Sequence, residues 1–254
     1  MKISVVTISY NQVNFLKDCI NSVLKQENVH FEYIIVDALS SDGSIDVING
    51  FGSRVDHVIC EKDDGPADGL NKGFSKASGD VLYYLNADDL ALPGAFEQVS
   101  MAFARHPECD VIYGDGIIID SDGLETRKVR STPGFSAYRY VIGGAVLLQQ
   151  ATFIRRSAFE KVGGFNAKNR TCWDGELAFD LSRAGARFRH VPKEFGAFRI
   201  HPASISGSNR VVDAYREDAE RMAMLELGRS RRPLDRALGF GLKQVAHLRE
   251  RFGL

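Results

Sequence analysis

Acidic residues follow three of the segments that the sequence predicts to be buried strands. Asp37 comes directly after one such segment and Asp115 after another, while Asn86, Asp88 and Asp89 lie together in the tetrapeptide NADD. Since the carboxyl ends of parallel strands meet at one edge of an α/β sheet, we expect these side chains to gather around one polar site. Asp and Asn also start loops for structural reasons, and this alternative stays open for Asp37 and Asp115.

The NADD tetrapeptide gives the stronger signal. Its two adjacent carboxylates, Asp88 and Asp89, repel each other unless a cation or a donor-rich ligand lies between them. Hard divalent ions bind oxygen ligands, and proteins usually supply one or two carboxylates while substrate phosphates supply further ligands. The expected cofactor is therefore a divalent cation, Mn²⁺ or Mg²⁺.

The elements that position these residues alternate between strand and helix signals in the first half of the chain. Repeated β-α-β units of this kind predict an α/β fold with a mostly parallel central sheet flanked by helices. The second half predicts a hairpin around the turn SDG, a buried strand at Ala145–Leu148 and a helix over Trp173–Ala184. A further amphipathic helix is predicted from Val211 to Gly228.

Composition excludes several classes of protein. Hydrophobic residues make up 44% of the 254 residues and charged residues 26%, which excludes a disordered chain. The net charge of −1 gives no indication of nucleic-acid binding. The sequence shows neither a spanning apolar run nor a signal peptide after Met1, and its four cysteines form no CxxC pair. We therefore expect a cytoplasmic protein with reduced, buried thiols.

The last segment of the chain is basic. Residues 229–254 contain seven Lys or Arg and two Asp or Glu, and apolar residues recur among them at helical spacing. A basic amphipathic helix can lie on the inner face of an anionic membrane as a peripheral contact. A helix packed on the domain with a solvated basic face explains the same pattern, so both interpretations stay open. The apolar residues are Leu234, Leu238, Leu242, Val245 and Leu248.

Seven segments resemble, in order, the motifs of family 2 glycosyltransferases, which are inverting enzymes with the GT-A fold and nucleotide-diphospho-sugar donors. The resemblance implies a GT-A-like domain over residues 1–207, with a nucleotide-sugar-binding half (1–115) and an acceptor half (116–207). Residues 208–254 would form a C-terminal helical extension with a basic amphipathic tail. The segments are VTISYN, YIIVDALSSDGS, DGPADGLNKGFSKASGD, YYLNADD, QATFIRRSAFEKVGGFN, WDGELAFDLSRAG and FRIHPASIS.

The first motifs imply contacts with the nucleoside of the donor. By resemblance, Thr7, Tyr10 and Asn11 border the nucleotide base, and Asp37 accepts hydrogen bonds from the base or ribose. The sequence has neither GxGxxG after its first strand nor GxxxxGK[ST], so the pyrophosphate must be bound by a different motif.

The third motif implies a wall of the donor pocket. Asp68, Asn71 and Lys72 match residues that line that pocket in the family, and Asp68 and Asn71 share one face of a helix. A capped, solvated helix start is the alternative explanation for these residues.

The NADD motif departs from the family's more usual DxD because Asn86 replaces the first Asp. The resemblance assigns the main metal contact to Asp88, a ribose or sugar contact to Asn86, and a sugar contact or the orientation of the loop to Asp89. It also allows His201 to complete the metal site, which would favour Mn²⁺. A lone His in RIHP is otherwise explained as an ordinary surface or core residue.

Asp174 is the predicted catalytic base. It matches the family's base in WDGEL, where it would take the proton of an acceptor hydroxyl. Asp174 can also be an N-terminal helix cap, and the two roles are compatible. Glu176 is the alternative base, Trp173 a candidate for stacking on an acceptor sugar, and Gln150 a candidate acceptor-side residue.

These observations predict a metal-dependent, inverting glycosyltransferase. It would move a sugar from a nucleotide-diphosphate donor to a hydroxyl of a glycan or lipid-linked glycan, in bacterial surface polysaccharide synthesis. Two alternatives stay open: a metal-dependent hydrolase of nucleotide sugars or phosphodiesters, and a non-catalytic module that binds nucleotide sugars.

Overall fold

A computed structural model describes residues 1–202, 204 and 212–252 of the chain. Its nine-stranded sheet has the order β3-β2-β1-β4-β8-β6-β9-β5, and β7 pairs with β6 beside this path. The strands are β1 (Lys2–Ser9), β2 (His30–Asp37), β3 (His57–Cys60), β4 (Val81–Asn86), β5 (Leu90–Ala91), β6 (Val111–Ile119), β7 (Glu125–Val129), β8 (Thr152–Arg155) and β9 (Phe188–Arg199).

Helices cover both faces of the sheet and bury alternate residues of its strands. Val5 of β1 packs in the same apolar cluster as the helices α1, α2 and α4, whereas its neighbour Val6 packs with α3, α6 and α7. The helices are α1 (Val13–Leu24), α2 (Ser44–Asn49), α3 (Pro66–Phe74), α4 (Ala95–Arg105), α5 (Ala137–Val141), α6 (Arg156–Val162), α7 (Trp173–Arg183), α8 (Val212–Leu227) and α9 (Pro233–Phe252).

The sheet is parallel in its first half and mixed in its second. β3, β2, β1 and β4 pair in parallel, as the β-α-β pattern predicts. β8 then pairs antiparallel with both β4 and β6, while β9 runs parallel to β6. The nucleotide half of the sheet is therefore parallel, and the acceptor half is mixed.

Of two predicted details of the second half, one is confirmed and one is wrong. The predicted hairpin is confirmed, because β6 and β7 pair antiparallel around the SDG turn. The predicted strand at Ala145–Leu148 is wrong: that segment is irregular, and the strand is β8 at Thr152–Arg155. Apolar side chains mark both segments as buried, but only β8 lies where its backbone can pair with β4 and β6.

The amino ends of the central strands are held by one buried carboxylate. Glu32 of β2 accepts hydrogen bonds from Lys2 Nζ at 2.6 Å, Ser4 Oγ at 2.5 Å and Ser78 N at 2.6 Å. Ser78 Oγ and Gly79 N also donate to it. Burial alone would raise the pKa of Glu32, but these hydrogen bonds outweigh it and lower the pKa to about 2.

The C-terminal helices pack against the acceptor half. Met222 and Ala223 of α8 join an apolar cluster with residues of α5 and α7. Arg139 Nη2 donates to the carbonyl of Leu242 on α9 at 3.0 Å. The predicted boundary between residues 207 and 208 lies outside the described residues and stays a prediction. Among the helices that the structure describes, none combines the length and apolar character needed to cross a bilayer.

The four cysteines are free thiols. Cys19, Cys109 and Cys172 are buried, as predicted, whereas Cys60 at the end of β3 is exposed.

Candidate active site

A cavity of about 670 Å³ lies at the carboxyl ends of β1 and β4. β1 contributes Ser9, the loop after β4 contributes Asn86 and Asp88, and the first turn of α7 contributes Trp173 and Asp174. Both the nucleotide half and the acceptor half therefore contribute residues to the lining of this cavity. Further described lining residues include Tyr10, Asp63, Phe135, Tyr140, Gln149, Gln150 and Tyr215.

Asp88 and His201 form a pair at this cavity. Asp88 Oδ2 and His201 Nε2 are 3.1 Å apart, and the imidazole packs on the Phe15 ring at a centroid distance of 4.6 Å. Neighbouring ligands of an octahedral Mg²⁺ lie about 3 Å apart, because each metal–ligand bond is about 2.1 Å long. The oxygen and the nitrogen are therefore spaced as two ligands of one divalent ion would be. The described residues contain no cluster of three or more acidic, His or Cys side chains suited to a metal.

Asp89 is a buried anchor for the loop after β4. Its carboxylate accepts hydrogen bonds from Asn86 Nδ2 at 3.1 Å, Gln150 Nε2 at 2.7 Å and the backbone N–H of Arg199 at 2.9 Å. Burial, and then the nearby charge of Asp88, raise the pKa of Asp89 well above its usual value. Of the two roles that the resemblance allows for Asp89, this geometry fits the orientation of the loop.

Arg199 fixes the same loop from β9, and the sequence analysis did not single it out. Its Nε donates to the carbonyl of Asp88 at 2.7 Å, and its guanidinium lies 4.9 Å from the centre of the Phe15 ring. Arg199 is 2% exposed. Arg199 lies two residues before His201 in the segment FRIHP, and this spacing is the sequence feature that could have indicated its role.

Three residues that line the cavity each contain a buried polar atom without a partner. Among the described residues, six buried side-chain polar atoms have no hydrogen-bond partner, and Ser9 Oγ, Asn86 Oδ1 and Trp173 Nε1 are three of them. Their residues line this cavity, but the three atoms are themselves buried behind its surface. Buried polar groups in proteins are nearly always paired, so these three atoms are exceptions at the cavity wall.

Asp174 lies in the first turn of α7 and lines the cavity. Burial raises the pKa of its carboxyl group, although the backbone N–H groups of Gly175 and Asp174 lower it in part. A carboxylate at a cavity wall with a raised pKa is suited to accept a proton from a substrate. Its placement fits the interpretation as a base. The interpretation as a helix cap is wrong, because the N-cap position of α7 is Cys172 and Asp174 lies inside the first turn.

Three further lining residues were not singled out by the sequence analysis. Tyr140 of α5 lies against Gly175, where an added Cβ would come 1.9 Å from the tyrosine hydroxyl. Tyr215 comes from α8, outside the segments that resemble the family. Asp63 precedes α3, and burial raises the pKa of its carboxyl group. Sequence spacing offers no signal for these contacts, which depend on the packing of α5 and α8 beside α7.

The residues predicted to bind the base fall into two groups. Tyr10 lines the cavity and is 62% exposed. Thr7 lies deeper in the sheet, fully buried, with Oγ1 2.9 Å from the Tyr33 hydroxyl. Asp37 is also fully buried and accepts two hydrogen bonds of 2.7 Å from Ser40.

Asn11 ties the loops after β1 and β2 together. Its backbone N–H donates to Ser40 Oγ, and its Oδ1 accepts from Ser41 N at 2.9 Å. Asn11, Ser40 and Asp37 therefore form one network that holds these loops next to Tyr10.

The predicted residues of α3 lie away from the cavity wall. Asn71 Nδ2 donates a hydrogen bond to the Phe165 carbonyl at 2.8 Å, and Asn71 Oδ1 accepts one from the Phe165 backbone N–H at 2.9 Å. Asp68 and Lys72 form an ion pair of 3.2 Å, and Lys72 also pairs with Glu61. The structure thus places Asn71 as a tie between α3 and the acceptor half, and the other two at the half-buried surface of the helix.

Glu176, the alternative base, faces the C-terminal extension. Its carboxylate accepts hydrogen bonds from Arg221 of α8 at 2.7 Å and from Asn166 and Asn169. Burial would raise the pKa of Glu176, but these donors lower it overall. A carboxylate that is paired in this way is a poor candidate for proton transfer, which leaves Asp174 as the base favoured by the geometry.

Comparison with known proteins identifies the family. The model described as glycosyl transferase family 2 matches residues 4–163. The chain belongs to glycosyl transferase family 2. This glycosyltransferase is 28% identical over 251 residues to an uncharacterised glycosyltransferase of Mycobacterium tuberculosis, covering 96% of this chain and 88% of that protein. It is 27% identical over 221 residues to a PGL/p-HBAD biosynthesis glycosyltransferase of Mycobacterium bovis, covering 83% and 80%.

Solved structures confirm the GT-A-like fold of this family 2 glycosyltransferase. S. aureus TarS 1–349 in complex with UDP-GlcNAc superposes with a TM-score of 0.72 at 17% identity, covering 94% of this chain and 69% of that one. The glycosyltransferase spans 41% of the longer TarS chain. The mannosyltransferase PcManGT from Pyrobaculum calidifontis, in complex with GDP-Man and Mn²⁺, gives 0.63 at 14% identity, covering 96% and 68%.

Proposed function

We propose that this glycosyltransferase moves a sugar, with inversion, from a nucleotide-diphosphate donor to a hydroxyl of a glycan or lipid-linked glycan, with the help of Mn²⁺ or Mg²⁺. The observation that supports this proposal best is the set of residues around one cavity. Asp88 from the nucleotide half and Asp174 from the acceptor half line the same space, and burial raises the pKa of the Asp174 carboxyl group. His201, also from the acceptor half, pairs with Asp88. A leaving-group site and a base are what a direct displacement requires.

The donor would lie against the nucleotide half. Tyr10 offers an exposed ring for the base, and Ser9 and Asn86 line the same cavity, where the ribose or sugar would lie. Asn86 Nδ2 donates to Asp89, which fixes the orientation of the Asn86 amide. TarS and PcManGT, whose structures contain UDP-GlcNAc and GDP-Man, support a nucleotide sugar as the donor.

Asp88 and His201 would hold the cation, and diphosphate oxygens would complete its ligand shell. A cation bound there offsets the negative charge that grows on the leaving diphosphate. Arg199 and Asp89 fix the backbone around Asp88, so its carboxylate keeps its position during the reaction.

Asp174 would act on the acceptor. The acceptor hydroxyl attacks the anomeric carbon, its proton passes to the Asp174 carboxylate, and the bond from that carbon to the diphosphate breaks. Trp173, Tyr140 and Tyr215 line the cavity beside Asp174 and offer apolar ring faces for a sugar.

A thermal-shift panel of nucleotide diphosphates, with and without Mn²⁺, tests the donor site. A ligand at a hundredfold excess over its Kd adds about 2.7 kcal/mol to the free energy of unfolding. We expect one nucleotide to stabilise the protein more strongly with Mn²⁺ present, and Asp88→Asn to remove the Mn²⁺-dependent part. Asp122→Asn, in the exposed turn after β6, is the matched control.

Product analysis with the corresponding nucleotide sugar then separates transfer from hydrolysis. We expect little free sugar without an acceptor and a glycosylated product with one. Release of free sugar at the full rate without an acceptor would favour a hydrolase, and the absence of a shift with every nucleotide would contradict the donor site.

A further inference from the structure

The helix α9 turns an apolar stripe outward, which we define as Leu234, Leu238, Val245 and Leu248. These residues are spaced by four, seven and three positions, so they lie on one face of the helix. Their exposed fractions are 80%, 47%, 47% and 52%. Single exposed apolar residues are ordinary on a protein surface, but an aligned set on one helix face indicates a contact surface.

The opposite face of α9 is fixed to the domain, so the helix cannot rotate to bury the stripe. Gly239 packs so closely that an added Cβ would lie 2.2 Å from the carbonyl oxygen of Ile142. Further along the helix, Arg139 donates to the Leu242 carbonyl, and Glu250 pairs with His190 at 2.5 Å. These contacts run along most of α9 and determine which of its faces is exposed.

The same packing separates the charges of the segment. Its two acids are both bound within the protein, since Asp235 pairs with Arg229 at 2.7 Å and Glu250 pairs with His190. The exposed charged residues of the segment are cations: Arg232 just before α9, and Arg236, Arg249 and Arg251 on it. Arg249, four positions after Val245, lies beside the apolar stripe, whereas Arg236, two positions from both Leu234 and Leu238, lies on another side of the helix. The apolar stripe therefore has exposed positive charge beside it.

We propose that the apolar stripe and these arginines dock the protein onto an anionic lipid surface. Apolar side chains enter the boundary between headgroups and acyl chains, while arginines bind the anionic headgroups. A second copy of the chain fits less well, because stacking two stripes would bring the like-charged arginines of both copies together. This surface lies apart from the sugar-transfer cavity, so the proposal does not depend on which sugar is transferred.

Co-sedimentation of the full chain with vesicles tests the proposal. Vesicles of phosphatidylcholine alone are compared with vesicles that also contain phosphatidylglycerol, at low and at high salt. We expect binding to the anionic vesicles that weakens as salt rises, because salt screens the arginines. The double variant Leu238→Gln, Val245→Gln should bind at least tenfold more weakly, and Arg249→Gln should reduce the preference for phosphatidylglycerol.

Leu124→Gln is the matched control, since Leu124 is 65% exposed in the turn between β6 and β7. It should bind like the original protein, and thermal melting should show that every variant keeps its fold. Failure of the original protein to bind either vesicle would overturn the proposal, as would equal binding by the stripe variant. Light scattering would then show whether the stripe variant instead dissociates an oligomer, which would assign the surface to a second copy.

Discussion

Glu32 at the amino ends of the central strands and Asp174 near their carboxyl ends are both carboxylates, but they differ in the hydrogen bonds that they accept. At the amino end, Glu32 accepts hydrogen bonds from Lys2, Ser4, Ser78 and Gly79, and its pKa is about 2. At the carboxyl end, Asp174 accepts hydrogen bonds from backbone N–H groups and its pKa is raised by burial. Within the described residues, no side chain donates to it.

This difference separates a group that stabilises the fold from one that is available for a substrate. A charge that is fully paired favours the folded state and has no lone pair left for chemistry. An under-paired group in a cavity lowers stability and keeps its affinity for a ligand, which is the usual relation between stability and function in enzymes. The unpaired Ser9 Oγ and Asn86 Oδ1 at the carboxyl end follow the same rule.

The largest effect is expected from Asp174→Asn. The amide cannot accept the proton of the acceptor hydroxyl, so the transfer rate should fall by roughly 10²- to 10⁴-fold. Donor binding should be retained, and the melting temperature should stay the same or rise, because a buried ionisable group is removed. Steady-state rates and thermal melting measure both. A rate within tenfold of the original would contradict the assignment of the base.

The pH profile of the transfer rate provides a second check on the same residue. A base works when deprotonated, and burial raises the pKa of Asp174 above its ordinary value of 3.8. The rate should therefore fall as the pH drops through a value above 3.8, and this limb should be absent from the residual activity of Asp174→Asn.

Glu32→Gln should lower stability without changing the transfer rate at a permissive temperature. The loss of charged hydrogen bonds at a buried site corresponds to about 2 kcal/mol, or a fall of about 4–8 °C in melting temperature. Because the folded pKa of about 2 lies below the usual 4.5, this stabilisation is present above pH 4.5 and is lost as the pH falls toward 2. Glu125→Gln, at an exposed position of β7, is the control. Equal melting temperatures for Glu32→Gln and the control would contradict the prediction.

Two serines on β1 allow the comparison to be made within one strand. Ser4 Oγ donates to Glu32 and accepts from Gly79 N at 2.8 Å, so Ser4→Ala should destabilise the protein by about 1–2 kcal/mol. Ser9 Oγ is buried without a partner among the described residues, so Ser9→Ala should be neutral or stabilise by up to about 1 kcal/mol. Chemical denaturation measures both, and effects of the same sign would break the comparison.

The smallest effect is expected at His190, which joins the carboxyl end of the sheet to α9. Its Nε2 lies 2.9 Å from Asp115 and its Nδ1 contacts Glu250, while His247 of α9 and the Tyr113 ring, at a centroid distance of 5.3 Å, are further titratable groups near it. Burial lowers the pKa of His190, but the two carboxylates raise it overall above 6.5. The pairing is therefore complete below pH 6.5 and is lost as the pH rises through the raised pKa.

His190→Gln should remove this pH dependence. We expect hydrogen exchange of the α9 amides to accelerate by no more than about fivefold in the variant at low pH, since such pairs contribute about 1 kcal/mol or less. Above the raised pKa the original protein and the variant should exchange alike. A constant difference between them at every pH would contradict the role of the imidazole charge.

Local sequence patterns predict the parallel half of the sheet because its strands and helices alternate with clear periods. Together with the resemblance to family 2 glycosyltransferases, they also place Asp88 and Asp174 at one site, and both residues line the cavity. They cannot distinguish Thr7 from Ser9, which point to the same side of β1. Only the depth of each along the strand decides that Thr7 is in the core and Ser9 at the cavity.

The remaining differences come from contacts that are distant in sequence. Asn71 is on a helix whose motif implies a donor pocket, but both polar atoms of its amide form hydrogen bonds with the backbone of Phe165. The sequence offers Glu176 as an alternative base, but α8 brings Arg221 to its carboxylate. Tyr215 reaches the cavity from the same helix, which lies outside the motifs that the resemblance covers. These roles are decided by packing, which the spacing of residues does not encode.

The position of β8 has a consequence for how the protein is made. β8 separates β4 from β6 in the sheet, although the ribosome releases it after both. While residues 87–151 emerge, β4 keeps an unpaired edge and β6 has no neighbour on that side, and open edges of this kind invite association between nascent chains. A product that terminates before Thr152 would hold most of the donor-side residues and still lack the strand that closes its sheet.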